Sequence, residues 1–179
     1  MKPDFIFEAR DEADTAALGA ALAAALPRRA VVALNGTLGA GKTRLAQAIA
    51  AGLGIDPREV VSPTFVLVQE HHGRTDLFHF DAYRIRDEAE FWELGSEEYF
   101  AGPGVSLVEW AERVPGCLPV ERLEITIHVT GTTSRRFVMV AGGDEFDDVV
   151  ARLAAWDRQR GRGAAEETFP RGAWDRETA

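Results

Sequence analysis

The sequence contains one cysteine, Cys117, in 179 residues. An internal disulfide is therefore excluded, and a reducing compartment is the natural setting for the chain. Flanked by Gly116 and Leu118, Cys117 reads as an inert small residue and not as a nucleophile. No stretch approaches the roughly 20 apolar residues of a membrane span. The opening Met-Lys-Pro-Asp-Phe lacks the apolar centre of a secretion signal. A cytoplasmic protein without membrane contact is expected. Basic charge is also scarce: 20 Lys and Arg stand against 29 Asp and Glu, a net charge of −9. Such a chain is a poor lone binder of nucleic acid, whose phosphates call for a basic surface. Internal repeats are absent as well.

What is present is enough for a core. The composition is 46% hydrophobic and 27% charged, which suits one globular domain. Residues 36–43 read Gly-Thr-Leu-Gly-Ala-Gly-Lys-Thr, the G-x-x-x-x-G-K-[ST] pattern of a phosphate-binding loop. Each part has a mechanical reason. Gly36, Gly39 and Gly41 let the backbone aim several N–H groups at one anion, and the following helix adds its positive end. Lys42 reaches β- and γ-phosphates, and the Thr43 hydroxyl is a ligand for Mg²⁺. The flanks agree: Ala30–Leu34 is a short apolar run that reads as a buried strand. Thr43–Leu53, with Leu45, Ile49 and Leu53 at four-residue spacing and Gly54 beyond, reads as a helix.

Elsewhere the pattern predicts a strand at Phe5–Phe7 and a helix capped by Asp11 and ended by Pro27. A strand is expected from about Thr64, after the Pro63 break, and another over Asp76–Asp81. Asp87 caps a short acidic helix, and Gly104–Glu109 is a buried strand. Leu123–Val129 and Arg135–Val140 form a hairpin, and Glu145–Trp156 a helix. The segment 157–179 reads as a disordered tail outside a 1–156 P-loop domain, with Phe169 and Trp174 more readily incidental to it than a docking motif. Together these elements predict an α/β three-layer fold with a mixed sheet, its nucleotide site at the carboxyl ends of the strands.

Turnover at a phosphate loop needs a metal and a positioned water. Asp81 and Glu109 end apolar strands and are expected on the edge where the loop lies, each able to hold Mg²⁺ directly or through water. Thr64, in the stiff Ser62-Pro63-Thr64 turn, is a candidate γ-phosphate sensor of the switch-loop kind. His79 on an alternating strand reads as structural, Trp110 as packing, and Arg84 equally as a surface ion pair or a phosphate contact. Neither an arginine finger nor a guanine-selecting Asn-Lys-x-Asp motif is evident.

The ordered set of motifs resembles the bacterial tRNA threonylcarbamoyladenosine-biosynthesis ATPase family, TsaE (formerly YjeE). It comprises Asp11-Glu12 with Thr15 and Leu18-Gly19, the loop Gly36–Thr43, Ser62-Pro-Thr-Phe65, His79-Phe-Asp-Ala-Tyr-Arg84 and Leu107-Val-Glu-Trp110, over about residues 5–155. The resemblance implies a P-loop ATPase, weak alone, working with the partner proteins TsaB and TsaD to modify the adenosine next to the tRNA anticodon, and touching tRNA only indirectly. It assigns ATP to Gly39, Ala40, Gly41, Lys42, Thr43 and Arg44, Mg²⁺ to Thr43 and Glu109, and the nucleotide–Mg²⁺ site to Asp81. It makes Lys42, Thr64, Asp81 and Glu109 the catalytic set. Glu12 and Thr15 fall beside the nucleoside, and Ser134 and Arg135 near the nucleotide. A small P-loop kinase and a non-catalytic nucleotide-dependent binding module are the competing readings. The acidic Arg84–Phe100 segment disfavours the kinase, which needs a lid supplying arginines.

Overall fold

The apolar strands alternate between two cores, and that alternation sets the layers. The computed structural model describes residues 4–167, with side chains to residue 161. In chain order the elements are β1 (Phe5–Ala9), α1 (Glu12–Ala25), β2 (Arg29–Asn35), α2 (Lys42–Gly52), β3 (Val68–His71) and β4 (Leu77–Asp81). They continue with α3 (Glu88–Trp92), α4 (Ser96–Ala101), β5 (Gly104–Glu109), β6 (Arg122–Val129), β7 (Arg135–Gly142) and α5 (Asp144–Glu167). The strands form one seven-stranded sheet in the order β1-β7-β6-β2-β5-β4-β3. The pairs β6/β2, β2/β5 and β5/β4 are parallel, while β1/β7, β7/β6 and β4/β3 are antiparallel. The sheet is therefore mixed, as the motif order predicts.

One face carries Phe7, Val32, Leu34, Leu77, Leu107, Ile125 and Phe137 into a core shared with Leu18 and Leu22 of α1, Ile49 of α2 and Val149 and Leu153 of α5. The opposite face carries Ala33, Phe80 and Val108 into a smaller core with Phe91 of α3, and Tyr99 and Phe100 of α4 pack against it. This is a three-layer α/β P-loop NTPase fold. Helices α1 and α2 approach closely because both are glycine-bearing there. A Cβ on Gly19 would lie 2.3 Å from Ala48 Cβ, and one on Gly52 2.4 Å from Ala23 Cβ. Both capping expectations hold: Asp11 accepts from Asp14 N at 2.9 Å and Asp87 from Glu90 N at 3.0 Å.

Two expectations are corrected. The strand foreseen from Thr64 begins only at Val68. The intervening residues form a turn in which Val66 N and Leu67 N both donate to the Pro63 carbonyl, with Leu67 at φ 68°. The last helix does not stop at Trp156 but continues to Glu167, so the expected tail is helical over 157–167. Residues 168–179, with Phe169 and Trp174, lie outside the described residues. Helix α4 carries too few apolar repeats to announce itself and was not foreseen.

Candidate functional site

Parallel pairing brings three strand ends to one edge. Glu109 of β5 is in register with Leu34 of β2 on one side and with Asp81 of β4 on the other. The glycine loop leaves β2 one residue after Asn35, so it arches directly over both acids. Gly36, Gly39 and Gly41 have φ of 144°, 76° and 108°, a region that side-chain-bearing residues rarely enter. A Cβ on Gly39 would meet nothing within 4 Å, so open space lies beside the loop. Helix α2 starts at Lys42 with Gly41 at its N-cap and no side-chain cap bond. Its first N–H groups are thus left for an anion.

The side chains under the loop form one network. Glu109, 2% exposed, accepts from Thr43 Oγ1 at 3.1 Å and pairs with His79 Nε2 at 2.9 Å. Asp81, also 2% exposed, accepts from Ser62 Oγ at 2.5 Å, Thr64 Oγ1 at 2.7 Å and Tyr83 N at 2.8 Å. Lys42 Nζ donates to the carbonyls of Gly36 at 2.7 Å and Thr37 at 3.1 Å and lies 3.5 Å from the centre of the Trp110 ring. Burial lowers the Lys42 pKa from its ordinary 10.5, against the opposing pull of the Glu109, Glu112 and Asp81 carboxylates. Trp110 reaches this position through a left-handed backbone at φ 58°, and its ring packs at a tilt of 44° against Tyr83, with centroids 4.9 Å apart.

A cavity of about 440 Å³ opens over this network, lined by Lys42, Thr43, Arg44, Thr64, Asp81 and Glu109 among others. A second of about 230 Å³ adjoins it, sharing Gly39, Gly41 and Arg44 and adding Glu12, Thr15, Ala40, Thr132, Thr133 and Arg135. Arg44 pairs with Glu12 across this boundary. Arg135 Nε donates to the Ala40 carbonyl at 2.8 Å, tying β7 to the glycine loop. Nearly the whole expected set therefore converges. Ser134 does not: its hydroxyl accepts from Thr130 Oγ1 at 3.0 Å within the hairpin turn, and Thr132 and Thr133 line the cavity instead. Arg84 packs on the Phe65 ring at 4.2 Å, away from the cavity lining. Ser62, Tyr83, His79 and Trp110 also touch this network; sequence reasoning gave the first two no role of their own and read His79 as structural and Trp110 as packing. The period-two spacing of His79 and Asp81 was the available signal for His79.

The donor set suits a hard divalent ion: one hydroxyl and two carboxylates at a single cavity, all oxygen. Among the described residues no group of three or more His, Cys, Asp or Glu forms a protein-only metal cage. An ion here would draw its remaining oxygens from phosphate and water, the habit of Mg²⁺. The residues present thus fit a Mg²⁺–nucleoside triphosphate.

Residues 9–137 match the family model described as threonylcarbamoyl adenosine biosynthesis protein TsaE. The chain is similar to the tRNA threonylcarbamoyladenosine biosynthesis protein TsaE of Bacillus subtilis (strain 168), with 44% identity over 128 residues, covering 71% of this chain and 79% of the relative. It is also similar to the protein of the same description from Treponema pallidum (strain Nichols), with 38% identity over 130 residues, covering 73% and 96%. Among solved structures, the crystal structure of Bacillus subtilis YdiB superposes with a TM-score of 0.71 at 32% identity, covering 86% of this chain and 95% of that one.

Proposed function

The chain belongs to the TsaE family, and from that premise we propose that it binds and hydrolyses ATP with Mg²⁺ as an accessory subunit of the machinery that makes threonylcarbamoyladenosine in tRNA. The observation that carries this reading is the convergence of Lys42, Thr43, Thr64, Asp81 and Glu109 on one cavity beside an uncapped helix N-terminus.

The loop N–H groups and the α2 N-terminus would cradle the β- and γ-phosphates. Lys42 would exchange the Gly36 and Thr37 carbonyls for phosphate oxygens, a charge-assisted bond in place of two neutral acceptors. Thr43 and Glu109 would hold Mg²⁺ directly, with Asp81 beside them. When bound, Mg²⁺ supplies charge neutralisation of the transferring phosphoryl group. His79 fixes the orientation of the Glu109 carboxylate, and Asp81 fixes Ser62 and Thr64, so the 62–67 turn is tethered to the acid it would sense through. The nucleoside would enter the adjoining cavity between Glu12, Thr15 and Arg135.

A net charge of −9 fits a subunit that meets tRNA only through its partners, which the resemblance names as TsaB and TsaD, and a cytoplasmic setting follows from that process. The test is ATP hydrolysis by the full chain, alone and with both purified partners. Slow turnover alone and a rise on adding the pair are expected. Unchanged turnover, together with normal tRNA modification in a strain lacking the protein, would overturn the reading.

A further inference from the structure

The matched family segment ends at residue 137, yet α5 runs from Asp144 to Glu167. Its later part bears on the site through one buried acid. Asp14, in the first turn of α1, is 3% exposed. Its Oδ2 accepts from Arg10 N at 2.9 Å and Arg10 Nε at 2.9 Å, and its Oδ1 from Arg10 Nη2 at 3.3 Å and from Arg160 Nη2 of α5. The two arginines differ in setting. The Arg10 side chain is 81% exposed and that of Arg160 31%, so water screens the first far more than the second. The Arg160 guanidinium is also seated, 5.6 Å from the ring centres of both Phe7 and Trp156.

From Asp14 the connection reaches the nucleoside cavity by two short routes. Thr15 is its neighbour on α1 and lines that cavity together with Glu12. Arg10, whose N–H is held by Asp14, offers its carbonyl to Thr133 Oγ1 at 3.1 Å, and Thr133 lines the same cavity from the β6–β7 turn. None of these groups belongs to the glycine loop, to Lys42 or to the two acids at the strand ends.

We propose that Arg160 is a positioning residue: by pairing with buried Asp14 it makes α5 the brace of the nucleoside-side wall formed by Glu12, Thr15 and Thr133. The inference rests on the Mg²⁺-ATP reading of the site and refines it. The C-terminal helix sets how tightly the nucleoside is held, while the phosphate grip stands without it. A buried carboxylate must be paired. Without Arg160, Asp14 keeps, among the described residues, only Arg10 with its solvent-exposed side chain, and the start of α1 is free to turn its acid toward water.

The experiment compares the full chain with Arg160→Met and Arg160→Lys, titrating each by calorimetry with Mg²⁺-ATP and, separately, with Mg²⁺-tripolyphosphate, which has the phosphates and no nucleoside. Arg160→Met should weaken ATP about tenfold, the scale of one charge-assisted hydrogen bond, and leave tripolyphosphate within about twofold. Arg160→Lys keeps the charge and should recover most of the loss, and it carries the comparison if the methionine variant does not fold. Equal weakening of both ligands, or ATP affinity unchanged in both variants, would overturn the brace. A wild-type chain that binds tripolyphosphate but gains nothing from the nucleoside would overturn it as well. A wild-type chain that binds neither ligand would instead overturn the underlying reading of the site, and the brace with it.

Discussion

Replacing Glu109 by Gln removes a charge and little else. Glu109 is buried, with Oε1 against His79 Nε2 at 2.9 Å and Oε2 taking Thr43 Oγ1 at 3.1 Å. A glutamine offers one acceptor oxygen and one donor nitrogen. If the NH₂ faces Thr43, that hydroxyl rotates and accepts. If it faces His79, the ring takes the other tautomer, with its proton on Nδ1, an atom without a hydrogen-bond partner among the described residues. Each neighbour thus keeps one bond, and stability should change by no more than about 1 kcal/mol. A Mg²⁺ held as proposed would fare differently, because it would lose an anionic ligand where phosphoryl charge must be neutralised. Metal stabilisation of that charge is worth several kcal/mol. A loss of about 3–4 kcal/mol would slow turnover by about 10²–10³-fold at 1.36 kcal/mol per decade. The assay is single-turnover ATP hydrolysis at saturating Mg²⁺ in the presence of the partner proteins, with a urea unfolding curve alongside. Turnover reduced less than about tenfold with an unchanged unfolding midpoint would refute the metal role of Glu109.

Three further outcomes are expected. Gly19→Ala puts a Cβ 2.3 Å from Ala48 Cβ and 2.7 Å from Ala48 C. Overpacking of about 1–3 kcal/mol should outweigh the helix-propensity gain of about 1 kcal/mol, so urea unfolding should show a net loss; a more stable variant would contradict the close packing of α1 on α2. Asp81→Asn removes the charged acceptor of Ser62 and Thr64. The Val66 and Leu67 amides, which donate to Pro63 O, should then exchange hydrogen about 10–100-fold faster, the scale of a charged hydrogen bond. Unchanged exchange there would mean that Asp81 does not tether the turn. For Cys117, burial, and secondarily Glu88, push the thiol from its ordinary 9.0 up to about 11. The thiol form is favoured by the fold, so its contribution to stability is complete below about 9 and is lost as pH rises toward about 11. Alkylation at pH 8 should be far slower in the native chain than in denaturant, and equal rates would show the thiol to be accessible.

The site was legible in the sequence where chemistry and period coincide. Gly36–Thr43 declares itself because glycine adopts at no steric cost the φ of 76° and 108° at which Gly39 and Gly41 stand. Asp81 and Glu109 could be placed because each ends an apolar strand and parallel strands deliver their ends to one edge. The His79–Glu109 contact was hidden because it depends on β4 and β5 being neighbours with Asp81 opposite Glu109, a register that no single strand carries. The strand after Pro63 was misplaced because Thr64–Leu67 resembles a β-run in composition, yet its polar groups are spent on Asp81 and its turn on Pro63 O. The continuation of α5 past Trp156 was missed for the opposite reason. Its residues lack an apolar stripe, and Arg160 is held by a buried acid distant in sequence, Asp14. The contact of Lys42 with Trp110 requires a left-handed tryptophan at φ 58°, which no pattern of residue types announces.

Binding of Mg²⁺-ATP to the wild-type chain and to Lys42→Ala, measured by isothermal calorimetry at fixed ionic strength, tests the heart of this reading most directly. If Gly39–Thr43 holds the phosphates, losing the ammonium removes one charge-assisted contact. Affinity should then fall about 10–100-fold, at about 1.4 kcal/mol per decade. Equal affinities for the two proteins would place the nucleotide elsewhere and contradict it.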